Sequence, residues 1–394
     1  MPASGDAPLS CGVLFNRPVT LPRVRNPRLL SHLALLTLFS TGAWAQSSPP
    51  RTYDALTPTA EIVPVMCGAP APYSLIPRPL PAGVGGRVAF YLAEYDKQGN
   101  VLQARGLGNV RELHPVASAN KGFLIEAAFR DVDKGLIGLS EKITTTQANQ
   151  SIEAFPAGTN TFQHLALRAI QGSDNTASDI VLLRYGSEKF SRLIKQRSPC
   201  TTFLLTSKAQ WAAQGGLLSS VLGPDVVAGT ARYASLPFEE RLTVAQRLIR
   251  EAQTFTGRQV QVPLEQWFRS PQYTPLVDMN LQYTSTAKAL ADLAARTYDG
   301  QNLGRTRPLY RQIMATGCCR PRQPAFKTAY WAAKAGSGWR ILTLTGYVEM
   351  PDGRRFAYAY LNDLTVVQDD PELEKQIRPV VAWIERTLGD MVRN

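Results

Sequence analysis

Apolar and polar positions alternate with period two near both ends of the chain and follow the helical period between them. From Arg87 to Tyr95 the apolar Val88, Phe90 and Leu92 alternate, which predicts a strand. Asp96-Lys97-Gln98-Gly99-Asn100 is a turn signal, and Val101 to Leu107 returns as a second strand. After Pro115 the run Phe123 to Phe129 places apolar residues at 124, 127 and 128, the spacing of a helix face. Further helices are predicted from Gly158 to Ile170, and from about Thr176 to Tyr185 with Gly186 as the stop. Others are Ser285 to Thr297 and Leu309 to Met314, the latter ended by Gly317. Trp331 to Met350 reads as one or two strands, Pro351-Asp352-Gly353 as a hairpin turn, and Arg355 to Leu361 as the returning strand. Asp370-Pro371 opens a last helix with Leu373, Ile377, Val380, Ile384 and Leu388 on one face. Residues 198–283 show one helix, Pro237 to Thr254, among several Pro and Gly breaks. Together these elements predict an α/β chain of the α+β sandwich kind: an antiparallel sheet, completed late, with helices on both faces.

The first residues do not fit this pattern. Arg17, Arg23, Arg25 and Arg28 precede a Leu- and Ala-rich run from Leu29 to Trp44, which ends in Ala43-Trp44-Ala45. Basic, then apolar, then small residues are the order of a secretory signal peptide, with cleavage near Ala45/Gln46. The expectation is export to the periplasm or medium, with no stable membrane insertion once residues 1–45 are removed; the apolar run is short for a span. Residues 46–85, rich in Pro, Ala and Ser, read as a linker with a packed segment around Ile62 to Met66.

Charge and cysteine content narrow the function. The formal charge of +12 falls to about +9 without the leader, so the exported chain is still basic. No basic run interleaved with aromatics occurs, and export argues against nucleic acid as a partner. Cys67, Cys200, Cys318 and Cys319 follow the leader, an even number that permits disulfides without fixing their pairing. Beyond the leader the histidines are His114 and His164, too few and too scattered for a catalytic metal, so no metal or other cofactor is expected.

The candidate chemistry lies in three short motifs. Ser118-Ala119-Asn120-Lys121 sits at the predicted helix start behind Pro115. There the helix dipole favours a developing alkoxide, and a neutral lysine one turn on can take its proton. Ser173-Asp174-Asn175 and Lys334-Ala335-Gly336 follow in order. A second Ser-x-x-Lys, Ser285 to Lys288, lies on a helix assigned to packing.

In this order the motifs resemble the Ser-x-x-Lys, Ser-Asp-Asn and Lys-Thr-Gly set of class A β-lactamases and penicillin-binding proteins. The neighbourhoods Gly172 to Ala177, Gly158 to Thr161 and Tyr283 to Thr286 resemble that family as well. The resemblance covers about residues 87–197 and 283–394. It implies one catalytic domain over 86–394, of the β-lactamase/penicillin-binding (DD-peptidase) type, with a long insertion at about 199–280. It implies an acyl-enzyme at Ser118, with Lys121 as base or proton partner and Ser173 as the relay to the leaving nitrogen. Asn175 would hold the acyl amide, and Lys334 would tune the network and attract a substrate carboxylate. Gly336 and Ser337 would border the substrate, with the backbone N–H groups of Ser118 and Ser337 forming the oxyanion hole. The substrates implied are β-lactams or peptidoglycan-derived amides. A DD-peptidase, an esterase or a degenerate peptidoglycan-binding module are the alternatives.

Two departures shape the expectation. Ala335 stands where the family has a hydroxyl for the substrate carboxylate, with Ser337 or Arg340 as partial substitutes. The family's omega-loop glutamate has no counterpart, which predicts acylation followed by slow release; Ala335 should slow acylation as well, though less. Glu265, read as a surface residue, and Asp278 are the first acids of the insertion to examine. Trp267-Phe268-Arg269-Ser270-Pro271 resembles a segment of class-A-like exported serine hydrolases.

Overall fold

A computed structural model describes residues 64–70, 72–153, 156–317, 319–368 and 370–393. The expected signal peptide, the linker up to residue 63 and Cys318 lie outside the described residues.

The chain opens with β1 (Ser74–Leu75), β2 (Arg87–Tyr95), β3 (Val101–Leu107) and β4 (Leu113–Pro115). A 3₁₀ turn, Ala117–Asn120, leads into α1 (Lys121–Asp133), β5 (Lys142–Thr144), β6 (Thr159–Thr161), α2 (Phe162–Gln171), α3 (Asn175–Tyr185) and α4 (Ser187–Arg197). Six helices follow: α5 (Ser207–Gln214), α6 (Ser219–Leu222), α7 (Val226–Ser235), α8 (Phe238–Ala252), α9 (Gly257–Phe268) and α10 (Pro275–Leu281). The chain then runs through β7 (Thr284–Thr286), α11 (Ala287–Thr297), α12 (Arg307–Met314), β8 (Tyr330–Gly338), β9 (Ile341–Glu349) and β10 (Arg355–Asp363). It closes with α13 (Asp370–Glu374) and α14 (Ile377–Val392).

The main sheet has the order β1-β3-β2-β10-β9-β8. Apart from β1, which runs parallel to β3, its strands are antiparallel. Its centre is the late strand β10 against the early β2, from Arg355↔Tyr95 to Asp363↔Arg87. Both faces are covered. Ala89, Tyr91, Ala93 and Tyr95 of β2 enter one apolar cluster with α1, α2 and α11; Phe90 and Leu92 enter a second with α14. Period-two alternation here sorts apolar residues between two interiors rather than between core and solvent.

Differences from the sequence reading have local causes. Thr284–Thr286 forms a strand against Leu113–Pro115, so the helix expected from Ser285 starts at Ala287, where the Thr286 hydroxyl caps the Ala289 N–H. The last helix is broken: turns at Lys375 and Gln376 separate α13 from α14, although Leu373, Ile377, Val380, Ile384 and Leu388 all face the second cluster. The insertion is helical almost throughout and has its own apolar cluster, including Leu204, Leu248, Leu264 and Leu281.

Residues 64–68, within the expected linker 46–85, lie beside β4 and the residues just before it. Leu113 N–H donates to Val65 O at 2.9 Å, and Cys67 N–H to Arg111 O at 2.9 Å. A Cys67–Cys200 disulfide ties this arm to the connection between α4 and α5.

Candidate active site

The site begins at a turn the backbone does not adopt easily. Ala117 has φ 47° just before Ser118, in the region L-residues avoid. The turn is pinned on both sides: Val116 N–H donates to Tyr283 O at 2.7 Å, and Thr343 Oγ1 donates to Val116 O at 2.7 Å. In a 3₁₀ turn residues three apart eclipse, so Ser118 and Lys121 share one side. Ser118 is half-buried in a solvent-open cleft, while Lys121 is buried as the first residue of α1. The helix therefore starts one turn later than the spacing predicted.

The Lys121 ammonium donates to Ser173 O at 2.5 Å, Asn175 Oδ1 at 2.6 Å and Ser173 Oγ at 3.3 Å. Burial, reinforced by repulsion from Lys334, lowers its pKa to about 7. Lys334, on β8, donates to Ser173 Oγ at 2.9 Å and to Ala335 O at 2.5 Å, and burial brings it down to about 8. Two lysines of lowered basicity thus meet on one serine hydroxyl. Ser173 is held with φ 53° ahead of α3. The adjacent Asp174 caps that helix through Ala177 N–H at 2.8 Å and accepts from Arg168.

Gly336 lies against the Ser118 turn. A Cβ there would stand 2.6 Å from Ser118 N and 2.7 Å from both Thr343 Oγ1 and Val116 O. Gly336→Ala should push β8 off the turn and separate the Ser118 and Ser337 N–H groups. We expect a stability loss of about 1–3 kcal/mol and at least about a tenfold fall in acylation rate, read by thermal melts and intact-mass kinetics. Unchanged acylation would mean that the turn does not need this close approach.

The resemblance did not point to Glu153, a half-buried residue in the β5–β6 connection. It accepts from Asn175 Nδ2 at 3.0 Å, next to the Lys121 bond on the same amide. Burial raises its pKa to about 7, against the pull of Asn175 and Lys121. Its φ of 72° makes it, with Ala117 and Ser173, one of three cleft residues in the left-handed region. Such strain costs about 1–3 kcal/mol each and concentrates at functional sites. No periodic pattern marks a loop glutamate, so the sequence offered no signal beyond the residue type.

Of the two acids expected from the insertion, Asp278 lines the cleft and Glu265 does not; Glu265 accepts from Gln261 along α9. Asp278 is buried, accepts from Gln214 at 2.6 Å and Tyr273 OH at 2.8 Å, and is raised to about 7 by burial. The Trp267-Phe268 segment divides: Trp267 packs into the insertion core, while Phe268 lines the cleft and stacks on Trp339 at 5.0 Å.

On the sheet side, Ala335 turns its methyl into the second apolar cluster, and Ser337 Oγ donates to Glu374 Oε1 at 2.8 Å. Arg340 is spent on the Thr365 and Leu364 carbonyls at 2.9 and 3.2 Å and is not a cleft-lining residue. Ser285, the serine of the second Ser-x-x-Lys, is fully buried and bonded to Thr201 Oγ1 at 2.8 Å. Among the described residues, no group of three or more His, Cys, Asp or Glu side chains could hold a metal ion, and no helix is long and apolar enough to cross a membrane.

A central antiparallel sheet between helical layers, with this serine–lysine cleft at its β8 edge, is the architecture of β-lactamase-fold proteins. Residues 82–216 match the model of the beta-lactamase enzyme family. A β-lactamase from Chitinophaga pinensis is 17% identical with a TM-score of 0.50, over 78% of this chain and 94% of that one. PBP-A is 18% identical with a TM-score of 0.47, over 79% and 92%. An ancestral class A β-lactamase is 15% identical with a TM-score of 0.49, over 77% and 95%. No curated protein matches the sequence. The chain therefore has the β-lactamase-like fold, and residues 82–216 of it match that family's model.

Proposed function

We propose that the protein is an exported serine hydrolase that forms an acyl-enzyme at Ser118 with β-lactams or related cell-wall amides, and that it releases the acyl group slowly. The observation that carries this reading is the convergence of Lys121 and Lys334 on Ser173 Oγ, at 3.3 and 2.9 Å, in the cleft that Ser118 lines. Acyl transfer needs a nucleophile, a base, an acid for the leaving group and an anion cradle. The neutral fraction of Lys121 takes the Ser118 proton as Oγ bonds to the carbonyl carbon. The C–N bond then breaks, and the leaving nitrogen takes the proton of Ser173 Oγ, which the lysines restore. Release requires a water oxygen to bond to the same carbon as a base takes its proton; the C–Oγ bond then breaks and the proton returns to Ser118. The carboxyls available for that step, Glu153 and Asp278, are both already engaged by protein donors and, with pKa values near 7, only partly ionised at neutral pH, which supports slow release. Export is supported by the leader pattern before residue 46 and by the Cys67–Cys200 bridge, which suits an oxidising compartment.

The test is intact-mass spectrometry after incubation with a penicillin at high concentration and with activated esters. The expected result is one added acyl group, mapped to the peptide containing Ser118. Hydrolysis of a chromogenic cephalosporin then separates a lactamase from a peptidase or esterase. Absence of an adduct with every β-lactam and ester would leave a binding module and overturn the proposal.

A further inference from the structure

We propose that Glu374 turns the β8 end of the cleft into a subsite for a neutral or cationic group, so that the protein disfavours substrates carrying a carboxylate beside the scissile bond. This rests on the acyl-enzyme reading of Ser118 and specifies its substrate class.

The charge distribution of the cleft is the starting point. Among its lining residues the charged side chains are Glu153 and Asp278, both acids. The two lysines at its floor are buried and already donate to protein acceptors, Lys121 to three and Lys334 to two. An incoming carboxylate would therefore look for donors at the sheet edge, on Ser337. The Ser337 hydroxyl is donated to Glu374 at 2.8 Å. A second hydroxyl is missing from the strand, because residue 335 is alanine and its methyl lies in the apolar layer behind the sheet. Arg340 is fixed on the backbone carbonyls of 364 and 365.

Glu374, which does not itself line the cleft, thus takes up the hydroxyl an anion would need, and its charge acts on the site. It favours the ammonium of Lys334 and adds to the forces that raise Glu153. A substrate carboxylate at Ser337 would displace this pair and face a like charge at contact distance, where charges interact strongly. An ester, a carboxamide or an amine would not: the first carries no charge, and the other two bring N–H donors that a carboxylate accepts.

The experiment compares Ser118 acylation by a matched pair, a penicillin and its methyl ester, followed by intact mass. Wild type should react with the ester faster than with the free acid by about tenfold or more, the size of one charge-assisted contact. Glu374→Gln keeps an acceptor for Ser337 but removes the charge. It should speed reaction with the free acid by about tenfold while changing the ester rate little. Ser337→Ala, which removes the tether and leaves the carboxylate, should not reproduce that gain. The burst with p-nitrophenyl acetate serves as the check on fold and nucleophile. A wild-type preference for the free acid, or a ratio unchanged in Glu374→Gln while the acetate burst persists, overturns the role of Glu374 alone. Failure of every probe to acylate overturns the acyl-enzyme reading and this inference with it.

Discussion

Ser118→Ala should show no acyl adduct under conditions where the wild-type chain is fully labelled, whereas Ser285→Ala should label as wild type does. Both serines head a Ser-x-x-Lys, so the pair isolates what the fold adds to the motif. Ser118 lies in a turn with a left-handed residue before it, half-exposed in the cleft, and its lysine shares a hydrogen-bonded network with Ser173. Ser285 pairs with His114 inside a buried two-stranded ribbon, and its hydroxyl is bonded to Thr201. Its lysine, Lys288, bonds Asp292 at 2.6 Å on the same helix and lies 5.8 Å over the Tyr91 ring. Alanine at 118 removes the hydroxyl proposed to carry the ester. Alanine at 285 removes two buried hydrogen bonds, to Thr201 Oγ1 and Thr286 O, about 1–2 kcal/mol of stability, and leaves the cleft alone. Intact mass with peptide mapping decides; an adduct persisting in Ser118→Ala would place the nucleophile elsewhere.

The second large effect concerns release. With a β-lactam at pH 7 we expect a burst of about one equivalent followed by slow turnover. Glu153→Gln should slow that turnover further, by about 10²-fold, the lower end of what a positioned base supplies. Asp278→Asn should change it little. The reasoning is connectivity. Glu153 bonds the Asn175 amide that also holds Lys121, whereas Asp278 is bound to Tyr273 and Gln214 within the insertion. The pH dependence follows from the directions of the shifts. A carboxyl raised to about 7 is a usable base only above that pH, so release should quicken from pH 6 to 8. Acylation should rise over the same range as Lys121 becomes neutral, then fall above about 8 as Lys334 loses its charge. Measuring burst and steady state separately keeps the two limbs apart. Fast, sustained turnover at pH 6 would defeat the scheme.

How much of this could be read in advance follows from what each feature depends on. The strands β2, β3, β9 and β10, and helices α2, α3 and α11, carry periodic apolar residues with turn residues at their ends, and they were legible to within a few positions. The motif residues were legible as motifs because their spacing is local. Within residues 198–283 α8 was legible, as Pro237 to Thr254, but the other helices were not, although Thr206, Asp225, Thr256 and Thr274 all cap helices there. Those helices are short, Pro263 interrupts the pattern of α9, and glycines punctuate the rest, so caps were present without long apolar stripes to confirm them. Glu153 and Glu374 act through partners 22 and 37 residues away. Nothing in a local pattern encodes such a meeting; only the folded chain brings them together.

The loop that presents Glu153 is carried by the insertion more than by the sheet. Ile152 is buried in the insertion's own apolar cluster, and Gly257, at the start of α9, packs so closely on Ser151 that a Cβ would lie 2.3 Å from its carbonyl oxygen. Gln147 donates to Thr254 O at 2.9 Å, and Lys208 donates back to Gln147 O at 2.7 Å. The Ser118 turn, by contrast, is held by Tyr283, just before β7, and by Thr343 of β9. The two halves of the chemistry are therefore mounted on separate pieces of the molecule. Repacking positions such as Leu242 or Leu248 would move the acid relative to the serine without altering any side chain that lines the cleft. Such a division lets selection, natural or in the laboratory, adjust how long the acyl group stays while leaving how fast it is taken up under independent control.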